Sequence, residues 1–367
     1  MPTKDDLKLL QALPLEIKIG KTKNRIREWV NAYGTDGVFV SFSGGKDSTV
    51  LLHIVRELYS NVEAVFVNTG LEYPEIQQFV KTFDNVTILR PKMRFDEVVK
   101  ECGYPIIGKR QAGTARLARN NIRDGKYSHR LMRIGITTKE ATEMGLELPP
   151  REMLDRYEAS LIGSKFQMER YRELLDMDFK ISDQCCDVMK KRPVHEFEKR
   201  TGKAPILATM TSESMLRETA WLQNGCNAFD AKRPRSTPMS FWTEQDVLQY
   251  IKRFNVPIAS VYGTVEYSTD QDQMRFEDFG IYNCGTETLC TTGCSRTGCI
   301  FCAFGAHLEK GEGRFERLKR THPKQYAYCI GGGEYVDGMW QPNKQGLGMG
   351  HVFDELNKIY GEGFIRY

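Results

Sequence analysis

The stretch Gly37-Val38-Phe39-Val40-Ser41-Phe42-Ser43-Gly44-Gly45-Lys46-Asp47-Ser48 decides how this chain is read. An apolar run leads into a glycine turn. The turn then opens Thr49-Val50-Leu51-Leu52-His53-Ile54-Val55-Arg56-Glu57-Leu58, a stretch of helical composition. The order is therefore strand, turn, helix. The turn's N–H groups and the helix N-terminus together make an anion site. Gly44 and Gly45 let the backbone approach a phosphate, and Lys46 adds a point charge that a solvent-accessible position at the helix mouth would keep free. Ser41, Ser43 and Ser48 bring hydroxyls, and Asp47 can cap the helix or reach Mg²⁺. A Walker A loop is excluded, because Val40 stands where that motif's first glycine belongs and Asp47 follows the lysine.

Outward from this turn the sequence alternates. Val38–Val40, Ala64–Val67 and Val86–Leu89 read as short strands, with helices beginning at Thr49 and Pro74 between them. Ile206-Leu207-Ala208 reads as a fourth strand. Thr243 precedes Glu244-Gln245-Asp246 as the N-cap of a helix through Phe254. Residues 8–33 read as one helix. The expected fold class is α/β, a doubly wound parallel sheet with a Cys- and Gly-rich C-terminal appendage. Three parts are expected: an N-terminal helical segment 1–34, an α/β domain 35–268 with a basic helical insertion at about 105–180, and a metal-binding region 269–367. That last region is too rich in Gly and Cys to supply much core by itself.

Composition bounds the alternatives. The chain has 367 residues, 40% hydrophobic and 27% charged, which is globular composition. No apolar run approaches the roughly 20 residues of a membrane span, and the first residues lack the core of a signal peptide. A cytoplasmic location without membrane association is the expectation. Ten cysteines in such a compartment point to metal or redox chemistry rather than disulfides. The net charge of +4 hides a local excess. Between Lys109 and Arg133 eight cations face the single acid Asp124. Lys109, Arg110, Arg116, Arg119 and Arg123 lead this stretch, the last three at helical spacing on one face. Such a stripe is read either as a polyanion contact or as a solvated face.

Ser43-Gly44-Gly45-Lys46-Asp47-Ser48 resembles the PP-loop of ATP pyrophosphatases. Further segments resemble the 3′-phosphoadenylylsulfate (PAPS) reductase family of the same superfamily. Asn68-Thr69-Gly70-Leu71-Glu72-Tyr73-Pro74-Glu75 is similar to that family's Asp-Thr-Gly…Phe-Pro-Glu segment, with Asn68 in place of the acid. Trp242-Thr243-Glu244-Gln245-Asp246-Val247 is similar to its Trp-Thr-x-x-Asp-Val helix start. Met210–Arg217 lies where the family carries a substrate-loop arginine, which would be Arg217. The resemblance implies ATP and Mg²⁺ held by the loop with Thr69 and Gly70, and Lys46, Asp47 and Arg217 as catalytic residues.

Cys185-Cys186 resembles the tandem cysteines of iron–sulfur adenylylsulfate reductases, and Cys299-Ile300-Phe301-Cys302 their second pair. The resemblance implies a [4Fe–4S] cluster on Cys185, Cys186, Cys299 and Cys302. Four thiolates satisfy such a cluster, and a two-residue spacer lets a pair meet one centre. Zn²⁺ on Cys290, Cys294, Cys299 and Cys302 is the competing reading, which leaves the tandem pair unexplained. Cys294 is a fifth thiol, able to replace a tandem cysteine or to carry sulfur. Cys102 and Cys226 read as small buried residues.

Sulfonucleotide reductases attack sulfur with a cysteine near the C-terminus. Here Gly361–Tyr367 holds none, and the last cysteine is Cys329. The pattern therefore resembles more closely the iron–sulfur ATP pyrophosphatases of DNA phosphorothioation and the thiolating enzymes of tRNA. The expected activity is adenylation of an acceptor oxygen for sulfur transfer, releasing pyrophosphate and AMP. The expected partners are a nucleotide, a nucleic-acid acceptor and a cysteine desulfurase or other sulfur-donor protein, with a homo-oligomer left open. The rival readings are a sulfonucleotide reductase releasing sulfite and a non-enzymatic nucleotide-sensing or nucleic-acid-binding module with a structural metal.

Overall fold

A computed structural model describes residues 2–164, 166, 168–268 and 288–367. Cys284 lies outside the described residues. The chain forms two compact units. The first contains residues 1–68, 72–90 and 193–298, and the second contains residues 69–71, 91–192 and 299–367.

The first unit is built on β1 (Val38–Ser41), β2 (Glu63–Val67), β3 (Val86–Leu89), β4 (Ala204–Ile206), β5 (Asn227–Ala228) and β6 (Arg235–Ser236). Their order across the sheet is β3-β2-β1-β4-β6-β5. All neighbours are parallel except β5 with β6. This is the expected doubly wound α/β sheet. Val38, Phe39 and Val40 are fully buried, as a central parallel strand covered on both faces requires. The chain steps from β1 outward to β2 and β3, then returns to the other side of β1 for β4. That reversal creates a switch point at the carboxyl end of β1, where open α/β sheets place ligands.

Two helices open this unit, Lys4–Gln11 and Leu15–Tyr33, in place of the single expected helix. Pro14 divides them, since it supplies no N–H and disfavours helix before it. The second helix buries Ile26, Trp29 and Val30. Its Lys18 lies inside the unit and donates to Asp246 at 2.6 Å. Thr243 is the N-cap as expected, and Asp246 completes a capping box with it. The fourth strand begins two residues before its expected place, at Ala204, because Ala204 and Ile206 are the buried partners of Val38 and Val40.

The second unit corrects the expected division. Residues 1–34 belong with the sheet rather than standing alone. The basic insertion groups with the C-terminal region rather than with the sheet domain. Ile106–Ile107 pairs in parallel with Ala303–Phe304, tying the insertion to the C-terminal segment. Nor is that segment poor in core. Phe315, Leu318, Val352, Phe353 and Leu356 are all fully buried, on the helices Arg314–Thr321 and Met349–Tyr360. The glycines hid this apolar periodicity from a reading by composition. No described helix is long and apolar enough to cross a membrane.

Candidate functional site

In the first unit the turn after β1 leads into the helix Lys46–Leu58, whose N-cap Gly45 offers no side chain. No side chain of the N-cap therefore takes up the N–H groups of that helix's first turn. Gly44 has φ +71°, and a Cβ there would lie 2.8 Å from methyl groups of both Ile76 and Val80. Only glycine fits that backbone and that approach. Ser43 and Ser48 brace the turn: the Ser43 N–H donates to Ser48 Oγ at 3.1 Å, and the two hydroxyls lie 3.0 Å apart. Ser41 ends the strand and Ser43 is exposed.

Lys46 corrects one expectation. It is buried, with only 4% of its surface exposed. Its Nζ lies 3.0 Å from Glu244 Oε1 and donates to the Ser295 carbonyl at 2.8 Å. Its own N–H donates to Tyr262 Oη at 3.2 Å, and Tyr262 Oη lies 2.5 Å from Thr297 Oγ1. The ammonium is held in a polar cage instead of waiting free in solvent. Burial pushes the Tyr262 phenol up to about 12, so it stays a neutral donor near pH 7.

Asp47 carries an unsatisfied buried oxygen, Oδ1. Burial raises its carboxyl above the ordinary aspartate range, while Lys46 pulls the other way. An orphaned carboxylate oxygen beside a phosphate turn suits a hard cation, so Asp47 fits Mg²⁺. A raised folded-state value penalises the ionised form, and stability falls as pH rises through it. Asp47→Asn is therefore expected to raise the melting temperature near pH 7. The gain should shrink as pH falls towards and below the unfolded aspartate value. Scanning calorimetry across that range checks it, and equal melting curves at every pH would show that the burial carries no penalty.

Arg217 lies in the helix Met215–Asn224 and pairs with Glu213, which also accepts from Arg296 at 2.9 Å. Both arginines act electrostatically on Asp47. Lys46, Asp47 and Arg217 thus share one neighbourhood, as the sequence suggested. Tyr262, Glu213, Glu244 and the segment Ser295–Thr297 join them, and no sequence signal had singled these out. A cavity of about 230 Å³ adjoins Arg217, lined also by Thr209, Thr211, Trp221, Arg235 and Ser240. Thr69 and Gly70 fall in the second unit. There Gly70 takes φ +75° and Thr69 Oγ1 accepts from the Leu71 N–H at 3.1 Å.

The second unit holds the four cysteines expected to act together. Cys185 and Cys186 precede a π-helical turn at Asp187–Lys191, and Cys302 closes a turn on the Cys299 carbonyl at 3.0 Å. The Cys186 thiol is drawn down to about 5, first by a hydrogen bond with Cys185 and then by the Lys109 ammonium. Cys185 is raised by the same hydrogen bond, by burial and by the fields of Cys302 and Cys299. The four thiols therefore share one electrostatic neighbourhood. Among the described residues, no three or more Cys, His, Asp or Glu side chains are gathered into a ready metal site. The donor set, all thiol with a cation beside it, fits a [4Fe–4S] cluster in its chemistry. Cys290 and Cys294, the other half of the zinc alternative, belong to the first unit, where Cys294 is buried and Cys290 exposed. Cys329 is fully buried, its thiol 3.5 Å from Met349 Sδ, and burial raises it, so it packs as a core residue. Cys226 is buried as expected. Cys102 is instead half-buried on a cavity of about 450 Å³ lined by Arg116, Arg123 and Lys180.

The basic stripe is less uniform than its sequence. The helix Lys109–Arg123 forms as expected. Arg119, however, turns inward and donates to the carbonyls of Phe179 and Met177 at 2.6 and 2.5 Å. Arg116 is paired with Asp183 at 3.0 Å, Arg123 with Asp124 at 3.1 Å, and Arg110 stacks on Phe166 at 3.9 Å. Lys109 belongs with Cys186. Asp183 and the carbonyls of Met177 and Phe179, which take up Arg116 and Arg119, lie some sixty residues away in sequence, so a local charge count missed them. Lys109, Arg110, Arg123, Lys126 and Arg130 are the exposed cations of the stretch, and of these Lys126 and Arg130 follow the helix.

A phosphate-type turn at the switch point of a parallel sheet, with lysine, aspartate and arginine around it, defines a nucleotide-related α/β enzyme of the PP-loop kind. Residues 37–104 and 129–303 match the phosphoadenosine phosphosulfate reductase domain, and the chain belongs to that family. A segment of 70 residues is 37% identical to an uncharacterized protein of Methanocaldococcus jannaschii, covering 18% of this chain and 17% of that protein. Among solved structures, a PAPS reductase of Candida auris in a phosphate complex aligns with TM-score 0.35 and 12% identity. That alignment covers 71% of this chain and 91% of the reductase. An FMN adenylyltransferase of Candida glabrata aligns with TM-score 0.33 and 12% identity, over 70% of this chain and 64% of the other.

Proposed function

We propose that this protein is an ATP pyrophosphatase of sulfur transfer, adenylating an oxygen of a nucleic-acid or nucleotide acceptor. The convergence of Lys46, Asp47 and Arg217 on the glycine turn carries this reading. Ser43, Gly44, Gly45 and Ser48 would cradle the phosphates, and Asp47 would hold Mg²⁺. Lys46 would exchange Glu244 and the Ser295 carbonyl for the phosphate charge that develops as pyrophosphate leaves. Arg217 would hold an anionic group of the acceptor at the adjoining cavity. Cys185, Cys186, Cys299 and Cys302 would hold the [4Fe–4S] cluster. Such a cluster, when bound, supplies a site for sulfur coordination or a structural staple. Lys109 would offset the negative charge of its thiolates. A sulfur-donor protein would complete the reaction.

Family membership favours one second reading, a sulfonucleotide reductase. A single comparison separates the two. Anaerobic protein is incubated with ATP and Mg²⁺, with and without DNA or RNA, and separately with adenylylsulfate and a thiol donor. AMP and pyrophosphate support the first reading and sulfite the second. The absence of all three products leaves a nucleotide-sensing or nucleic-acid-binding module.

The nucleic-acid acceptor has its own test at Arg123, Lys126 and Arg130. Reversing these three charges is expected to weaken DNA or RNA binding and to lower the slope of log affinity against log salt by about 0.7–0.9 per lost phosphate contact. The loss should be alike across sequences, because such contacts position without reading bases. Filter binding at several salt concentrations checks this, and unchanged slopes would mark the stretch from Arg123 to Arg130 as a solvated face.

A further inference from the structure

We infer that Arg296 is a phosphate-contacting residue of the nucleotide site, acting on the two phosphates that leave as pyrophosphate while Arg217 serves the acceptor. The inference rests on the ATP reading above and adds a residue that no motif marks.

The residues flanking Arg296 both reach the phosphate turn. Before it, the Ser295 carbonyl accepts from Lys46 Nζ at 2.8 Å. After it, Thr297 Oγ1 lies 2.5 Å from Tyr262 Oη, which itself accepts from the Lys46 N–H at 3.2 Å. A Cβ on Gly45 would lie 3.3 Å from Tyr262 Oη and 3.8 Å from Thr297 Oγ1. The segment Ser295–Thr297 is therefore the wall of the turn, and Arg296 is anchored to it on both sides.

The charge distribution suits an entering phosphate. Arg296 and Arg217 share one carboxylate, Glu213, each on a different oxygen. Two guanidinium groups share one carboxylate as their ion-pair partner, with Asp47 as a further anion acting on both. Their mutual repulsion is felt: burial and then Arg296 lower the affinity of Arg217 for its proton. A phosphate between the two arginines would relieve that repulsion. Both arginines remain open to solvent, with 62% and 40% of their side chains exposed, while Glu213 is mostly covered. Glu213 is thus the positioning residue, and the planar fork of Arg296 is open to present donors to phosphate oxygens.

The test is calorimetric titration of the full chain with ATP, pyrophosphate and AMP, each with Mg²⁺. Arg296→Ala is expected to weaken ATP and pyrophosphate roughly ten- to hundredfold, the loss of a charge-assisted contact, and to leave AMP unchanged. Arg296→Lys keeps the charge but not the fork, and should recover part of the loss. Melting temperatures should match the parent, because the side chain is exposed. Unchanged ATP affinity in Arg296→Ala overturns the inference, as does an equal loss for ATP and AMP. If Lys46→Ala weakens ATP while Arg296→Ala does not, the ATP reading stands and the inference alone fails. If the parent binds no adenine nucleotide, both fall.

Discussion

Lys46→Ala is expected to abolish pyrophosphate release from ATP, with a fall in turnover of roughly a hundredfold or more. The ammonium belongs to the first residue of the helix Lys46–Leu58, beside the glycine turn. Losing one charge-assisted phosphate contact costs about 1.5–3 kcal/mol in binding. The loss is larger where charge develops in the transition state, because the donor is already oriented. Burial adds a second consequence. In the variant, Glu244 and the Ser295 carbonyl lose their partner. Glu244 is half exposed and water can serve it, so the fold should lose little stability. Turnover, ATP affinity and the melting curve should be measured together. A large loss of turnover with a nearly unchanged melting curve is the expected pattern. Full activity in the variant would remove the phosphate role of the turn.

Cys299→Ser or Cys302→Ser is expected to strip the second unit of its metal. Protein purified without oxygen should be brown, absorb in the visible and contain iron in excess of zinc. Each serine variant should be colourless and iron-free. The effect should extend to stability. Binding free energies of structural thiolate sites are of order 10–16 kcal/mol for zinc peptides, and that energy becomes folding energy when the ligands come from distant segments. Here the pairs lie more than a hundred residues apart, at Cys185-Cys186 and Cys299–Cys302. Losing the metal should therefore open the second unit to proteolysis. The sheet of the first unit should persist, since its described core rests on packing alone. One zinc per chain and no iron would replace the cluster with the zinc reading. Parent protein that holds neither metal after anaerobic reconstitution would end both.

The parallel sheet, its first three strands and its phosphate turn were legible in the sequence because each rests on local order. An apolar run, two glycines and a helix-forming stretch specify strand, turn and helix wherever they occur. The N-cap at Thr243 is equally local, and it stands as read. Lys46, Asp47 and Ser48 could be assigned to the turn for the same reason. What surrounds them could not. Glu244, Tyr262 and Ser295 approach Lys46 from roughly two hundred residues away, and it is their approach that buries it. Asp183, Phe179 and Met177 likewise take up Arg116 and Arg119 from outside the basic helix. A helical stripe therefore overstated the free charge. Sequence spacing determines which side chains share a turn or a helix face. Which charges are compensated, and which carboxylate or arginine is left awaiting a ligand, depends on long-range burial, and only the tertiary structure decided it.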